Sequence, residues 1–231
     1  MNAFVIEAHA LTKTFGATRA LAGIDLAVQR GEAVAIMGAS GSGKTTLLHV
    51  LAGITAPDAG SVTFHPSAGG PVEVTALGES ARSRLRRERF GFVFQQGLLI
   101  PELTAVENVA LASMINGVAK KDAIPHAASW LAALGLAGME DRRIGELSGG
   151  QAQRVAIARA QATGAEIVFA DEPTGALDSH TSAEVMDALL WSTTGQGRTL
   201  VVVTHDADVA ARCTRTVAVR DGRVVSSAVD A

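Results

Sequence analysis

Ala33-Val34-Ala35-Ile36-Met37 runs straight into Gly38-Ala39-Ser40-Gly41-Ser42-Gly43-Lys44-Thr45, and that junction decides the fold. Five consecutive apolar residues with no polar alternation are what a strand covered on both faces requires, as in a parallel sheet. The next eight match GxxxxGK[ST], a turn whose backbone N–H groups can face inward around phosphate oxygens. The helix that follows adds the positive end of its dipole. Thr46–Ala52 reads as that helix, closed by Gly53. In such a loop Lys44 reaches the β- and γ-phosphates and the Thr45 hydroxyl ligates Mg²⁺. A plain glycine-rich turn is the alternative, and the strand before and helix after favour the phosphate cradle.

Two further apolar runs, Ile167–Ala170 and Leu200–Val203, are each followed by charged residues and a helical pattern. Recurring βα units predict an α/β fold with a mainly parallel core sheet. Phe4–Leu11 and Gly23–Val28 read as short strands of an antiparallel portion near the N-terminus. Asp221-Gly222, between Val217–Val219 and Val224–Val225, signals a hairpin. From Leu98 to Ala162 alanine, leucine and polar residues recur at helical spacing, with Trp130–Leu136 as one segment, so a helical subdomain is expected inside the α/β core. Ser67–Pro71 reads as a surface loop.

Composition narrows the class. The 231 residues are 48% hydrophobic and 19% charged, enough for a sizeable core and against wholesale disorder. Twenty basic against 23 acidic residues give a net charge of −3, so no basic nucleic-acid face is advertised. Mean hydropathy is +0.25, yet no apolar run approaches the roughly 20 residues of a spanning helix. Glu7, His9 and Lys13 interrupt any leader-like pattern early. These features predict a soluble, cytoplasmic chain. The one cysteine, Cys213, cannot form an internal disulfide and reads as a small buried apolar residue.

Asp171 and Glu172 close the run Ile167–Ala170. In phosphate-loop proteins an acid at that strand end holds Mg²⁺, which suits Asp171, while Glu172 suits a base that orients the attacking water. A solvated acidic pair would be the default reading without the phosphate loop. Leu147-Ser148-Gly149-Gly150-Gln151 opens a helix running to about Ala162, with Ser148 as N-cap, a second anion cradle about a hundred residues from the first.

Gly38–Thr45, Gln95, Leu147–Gln151, Asp171–Glu172, Ala176-Leu177-Asp178 and His205, in this order and over nearly the whole chain, resemble ATP-binding-cassette (ABC) ATPases. The resemblance implies a phosphate-loop α/β core with an N-terminal antiparallel β portion and an inserted α-helical subdomain. It places the core at about 1–96 and 163–231 and the helical subdomain at about 97–162 of one domain, 1–231. It implies ATP and Mg²⁺ as ligands and a head-to-tail homodimer in which the loop of one cassette and the signature Ser148–Gln151 of the other sandwich each nucleotide. By position, Gly38, Ala39, Ser40, Gly41, Ser42, Gly43, Lys44, Thr45, Thr46, Ser148, Gly149, Gly150 and Gln151 correspond to nucleotide-binding residues, and Asp178 to an aspartate at the dimer interface. Gln95 corresponds to a glutamine that senses Mg²⁺ and the attacking water, and His205 to a histidine that contacts the γ-phosphate. Phe15 stands where an aromatic stacks on adenine. Thr45, Gln95 and Asp171 form the expected metal set, and Glu172, His205, Lys44 and Gln95 the catalytic one.

Phe92–Gln95, Pro101–Val109 and Asp171–Asp178 are similar to one branch, the ATPases of macrolide exporters and lipoprotein-release systems, a group that also includes haem and antimicrobial-peptide exporters. That branch implies a motor peripheral to the cytoplasmic face of the membrane, with a transmembrane permease on a separate chain and no direct nucleic-acid contact. Driving a transmembrane mechanical event without moving a substrate is the alternative within the branch. A nucleic-acid-linked ABC ATPase is the rival outside it, disfavoured by the acidic balance and the lack of room for long coiled coils. Arg82, Arg84, Arg86, Arg87 and Arg89 cluster before Gln95, either as a solvated helix face or as a contact to the membrane partner or anionic headgroups.

Overall fold

The computed structural model describes residues 3–229; residues 1–2 and 230–231 of the expected domain 1–231 lie outside the described residues. Two long strands come first, β1 (Phe4–Phe15) and β2 (Thr18–Gln29), then β3 (Ala33–Met37), α1 (Lys44–Leu51), β4 (Ala59–Phe64) and β5 (Val72–Glu73). α2 (Glu79–Arg89) leads into β6 (Phe90–Phe94), followed by three helices, α3 (Ala105–Ile115), α4 (Lys120–Ala133) and α5 (Gly149–Gln161). The chain then runs through β7 (Ile167–Asp171), α6 (Ser179–Ser192), β8 (Thr199–Thr204), α7 (Ala207–Ala210), β9 (Arg215–Arg220) and β10 (Arg223–Val229).

The strands form two sheets. One is antiparallel, in the order β2-β1-β4-β5, and the other has six strands, β10-β9-β3-β8-β7-β6, parallel except for β10. In the larger sheet side-chain alternation divides two cores. Val34, Ile36, Ile167, Phe169, Val201 and Val203 face the antiparallel sheet and α1. Ala33, Ala35, Val168, Ala170, Leu200 and Val202 face the helices. Both faces are buried, which is why these strands read as unbroken apolar runs.

The sheet's register sets the site. Met37 pairs with Thr204, Asp171 with Val203, and Phe94 with Asp171. Four parallel strands therefore end level, and the residues that follow them emerge at one carboxyl edge, the edge where open α/β sheets bind ligands.

Several elements differ from the sequence expectation. β1 extends beyond Leu11 and β2 begins before Gly23, because Thr12–Phe15 and Thr18–Ala22 pair with each other across a turn at Gly16. α1 starts at Lys44, not Thr46, since Gly43 is the N-cap with φ +101° and turns the chain directly into the helix. Trp130–Leu136 is not one helical segment: α4 stops at Ala133 and Gly135, at φ +74°, reverses the chain. Within 98–162 helix begins only at Ala105, capped by Thr104 and Glu107 acting reciprocally, and resumes at Gly149 after the irregular stretch 134–148. β4, β5 and β6 carry no strand expectation at all. The Asp221–Gly222 turn joins β9 to β10 as a hairpin, and 67–71 is an irregular surface segment. Cys213 is buried.

Candidate active site

The phosphate loop is built on positive-φ glycines. Gly38, Gly41 and Gly43 lie at φ +158°, +77° and +101°. At Gly43 a Cβ would fall 2.2 Å from the Ala20 carbonyl oxygen, so any side chain there would push the loop off the β2 backbone. The Lys44 ammonium, 7% exposed, donates to the carbonyls of Gly38 and Ala39 at 2.8 and 3.1 Å. The Ser42 hydroxyl is buried with no hydrogen-bond partner among the described residues, an acceptor and donor suited to a phosphate oxygen. Gly38–Ser42 wall a cavity of about 280 Å³ whose opposite side is Ala218–Asp221 and Val225. The turn closing it is fixed: the Gly222 N–H donates to the Ser42 carbonyl, and its carbonyl accepts from Ala22 N–H.

A second cavity of about 290 Å³ is lined by Thr45, Gln95, Gln96, Leu98, Asp171 and Glu172. The Thr45 hydroxyl donates to Asp171 Oδ1 at 3.2 Å. Asp171 is held above the usual carboxylate range by burial, against the Thr45 hydrogen bond. Thr45, Gln95 and Asp171 offer only oxygen donors besides the amide nitrogen, the chemistry Mg²⁺ selects. Glu172 has φ +47°, and its N–H is tied to the Val203 carbonyl of β8. That places its carboxylate 2.9 Å from Nδ1 of His205, the first residue after β8. Gly175 leaves room for Gln95: a Cβ there would be 3.0 Å from the Gln95 amide nitrogen and 3.5 Å from Glu172 Cβ.

Ser148, Gly149, Gly150 and Gln151 line neither cavity. Ser148 caps α5 by accepting from Gln151 N–H at 3.3 Å, while the Gln151 side chain accepts from Ser148 N–H. The two glycines pack on the segment after Glu172: a Cβ on Gly149 would be 3.0 Å from Leu177, and one on Gly150 2.4 Å from Thr181 Cγ2. Asp178 caps α6, accepting from the Thr181 N–H and hydroxyl, which hold its carboxyl below the ordinary range. Phe15 is 52% exposed at the β1–β2 turn, with the Lys13 ammonium 5.5 Å over its ring. Thr46 lies in the first turn of α1.

The arginine cluster lies on α2, which buries no residue completely. Arg86 and Arg82 pair with Glu79, Arg89 with Glu166, and Arg84 and Arg87 are exposed. Arg86 and Arg87 border an apolar groove of about 430 Å³ whose walls include Phe90, Phe92, Phe94, Leu111 and Ile115.

Three polar residues absent from the sequence expectation organise the approach to Gln95. Asn108, 1% exposed, accepts from Ile100 N–H and donates to the carbonyls of Ile100 and Thr104. Gln153 donates to the Phe94 carbonyl, and Arg159 to those of Gly97 and Leu98. Of the three only Asn108, a polar residue on the buried stripe of the largely apolar α3, left a signal in the sequence.

The family described as ABC transporter matches residues 21–175. A macrolide export ATP-binding/permease protein of Nitrosomonas europaea is 45% identical over 97% of this chain and 34% of its own length. A pyoverdine export ATP-binding/permease protein of Pseudomonas aeruginosa is 45% identical over 98% of this chain and 34% of its own. The chain thus spans about a third of these relatives. The ATP-binding protein LolD 1 of a lipoprotein-releasing system of Rhodospirillum rubrum is 44% identical over 90% of this chain and 89% of its own. Among solved structures, a dimeric ATP-binding cassette in a post-hydrolysis state, bound to ADP and Pi, superposes with a TM-score of 0.85 at 36% identity, covering 97% of this chain and 98% of that one.

Proposed function

The chain belongs to the ABC transporter family as its ATP-binding, ATP-hydrolysing cassette, and from that premise we propose that it is the motor of an exporter-type membrane system. The observation that carries the catalytic reading is the level carboxyl edge, where Thr45, Gln95, Asp171 and Glu172 line one cavity and His205 bonds Glu172.

Lys44 and the N–H groups of Gly38–Thr45 bind the triphosphate, with Thr46 and Ser42 at the loop's margin. Phe15 offers its exposed ring to the adenine. Thr45, Gln95 and Asp171 hold Mg²⁺, which neutralises phosphate charge when bound. Glu172 accepts the proton of the attacking water, and His205 fixes the Glu172 carboxylate through Nδ1. Ser148–Gln151 and Asp178 face a second cassette, whose loop supplies the other half of each site. We infer that residues 97–162 move as a helical subdomain against the rest of the domain.

The proposed partner is a transmembrane permease on a separate chain, in keeping with a relative named as the ATP-binding protein of its system; the relatives named ATP-binding/permease proteins suggest the fused alternative. Among the described residues no helix is long and apolar enough to cross a membrane. The apolar groove beside the Arg86–Arg87 rim, next to the segment carrying Gln95, is the surface that fits a permease segment at the cytoplasmic face.

Glu172→Gln keeps the shape of the side chain but cannot take the water's proton, so phosphate release falls about 100-fold or more while ATP binding stays as in the wild type. Lys44→Ala loses ATP affinity instead. Wild-type turnover in Glu172→Gln overturns the catalytic reading. Tagged Glu172→Gln protein isolated from detergent-solubilised membranes with ATP should bring a membrane protein with it; nucleic acid or ribosomes in its place overturn the transporter reading.

A further inference from the structure

The turn after β6 is strained and held from one side. Gly97 and Leu98 are successive left-handed residues, φ +66° and +47°, a conformation glycine adopts freely and leucine does not. Leu98 gains no burial in exchange, being 59% exposed. Such backbone persists only where surrounding structure over-determines it.

What determines it is α5. The Arg159 guanidinium donates to the Leu98 carbonyl at 2.6 Å and the Gly97 carbonyl at 2.7 Å, a two-pronged grip on consecutive peptides. Six residues earlier on α5, Gln153, 4% exposed, donates to the Phe94 carbonyl at 3.0 Å. Arg159 has no carboxylate within ion-pair distance among the described residues, and burial lowers its pKa. A half-buried cation with no acidic partner, committed to two neutral carbonyls, is a costly way to brace a loop, which points to a turn that must keep its shape.

That turn separates two spaces. Its Leu98 lines the cavity with Gln95, Asp171 and Glu172, Arg159 lines the apolar groove, and Phe94 borders both. We propose that Arg159 is the positioning residue of the 95–98 turn: its guanidinium sets where Gln95 and Leu98 stand against Glu172, and ties that placement to α5, the helix that begins with Ser148–Gln151. It lines neither the phosphate-loop cavity nor the one with Glu172. This role rests on the ATPase reading of the site.

Arg159→Met keeps the length and apolar stem and removes both donors. Turnover of the purified chain, followed by phosphate release, should fall about tenfold while the ATP KM and the affinity for a fluorescent ATP analogue stay within about twofold. Leu98→Gly added to Arg159→Met should restore most of the turnover, because glycine holds the turn without the grip. Arg159→Lys, able to satisfy one carbonyl, should fall between, and it carries the same Leu98→Gly rescue if Arg159→Met does not fold. A merely structural arginine would lower the melting temperature without a kcat-against-KM split, and Leu98→Gly would rescue nothing; either result, or unchanged turnover in Arg159→Met, overturns the assignment. Glu172→Gln assayed alongside separates the two failures. Fast hydrolysis in that variant removes the site reading itself, whereas slow hydrolysis there with full turnover in Arg159→Met removes only the role of Arg159.

Discussion

Asp171 ends a strand whose other residues are fully buried, and its own burial raises its carboxyl above the usual range; the Thr45 hydroxyl opposes the shift and the neighbouring Glu172 adds to it. A folded value above the unfolded one means that Asp171's contribution to stability is complete below the ordinary carboxylate pKa and is lost as pH rises through the raised value. Asp171→Asn, neutral at every pH, should therefore melt a few degrees higher than the wild type near pH 7, with the gain vanishing in acid, and should be inactive. Thermal unfolding followed from pH 3 to pH 8 checks this, and a gain independent of pH would contradict it. The sequence shows Asp171, Glu172 and the phosphate loop directly, because each sits within a short apolar run and its turn. Gln95 and His205 have no such local mark and emerge only through the family resemblance. Arg159 and Gln153 escape both routes, since a side chain that bonds a backbone some 60 residues away leaves no pattern in its own neighbourhood.

At the level of elements, α5 and α6 meet at their N-termini through a contact that leaves no room for a methyl group. A Cβ on Gly150 would lie 2.4 Å from Thr181 Cγ2, and Thr181 cannot rotate away freely, because it is β-branched and its hydroxyl is held by Asp178 at 2.7 Å. Gly150→Ala should cost about 1–3 kcal/mol in urea unfolding and slow turnover. Thr181→Ser in the same chain keeps the hydroxyl and removes the obstructing methyl, so it should return most of both; no recovery would mean that Gly150 serves backbone conformation only. Which elements the sequence reveals follows from their surroundings. β3, β7 and β8 are buried on both faces and stand out as unbroken apolar runs, and the Asp221–Gly222 hairpin has its turn residues. β4 begins with Ala59, Gly60 and Ser61, β5 is two residues long, and β6 has glycine at its second position, so tertiary pairing decides them. Thr12–Thr14 of β1 and Thr18–Arg19 of β2 are polar and carry little apolar pattern, which hides these strand ends from a hydrophobic reading.

Across the whole molecule, Ser148 and Gly149 are exposed and line neither the phosphate-loop cavity nor the one with Glu172, so the proposed sandwich calls for a second copy to bring the two cradles onto one nucleotide. Glu172→Gln with ATP and Mg²⁺ should run at about twice the monomer mass in light scattering and return to the monomer with ADP. A monomer in every nucleotide state would argue against the sandwich. The division into two cores is legible from alternation in β3, β7 and β8, but the order of the strands is not, since β3 finds its neighbours in β8 and β9, residues 199–220. That order has a consequence for synthesis. The phosphate loop leaves the ribosome before the strands that flank its own, since β3 pairs with β8 and β9, and the Ser42 carbonyl accepts from the N–H of Gly222. A nascent chain therefore carries the complete loop sequence without the support that shapes it until β8 and β9 have emerged as well, and the loop takes its binding shape only then.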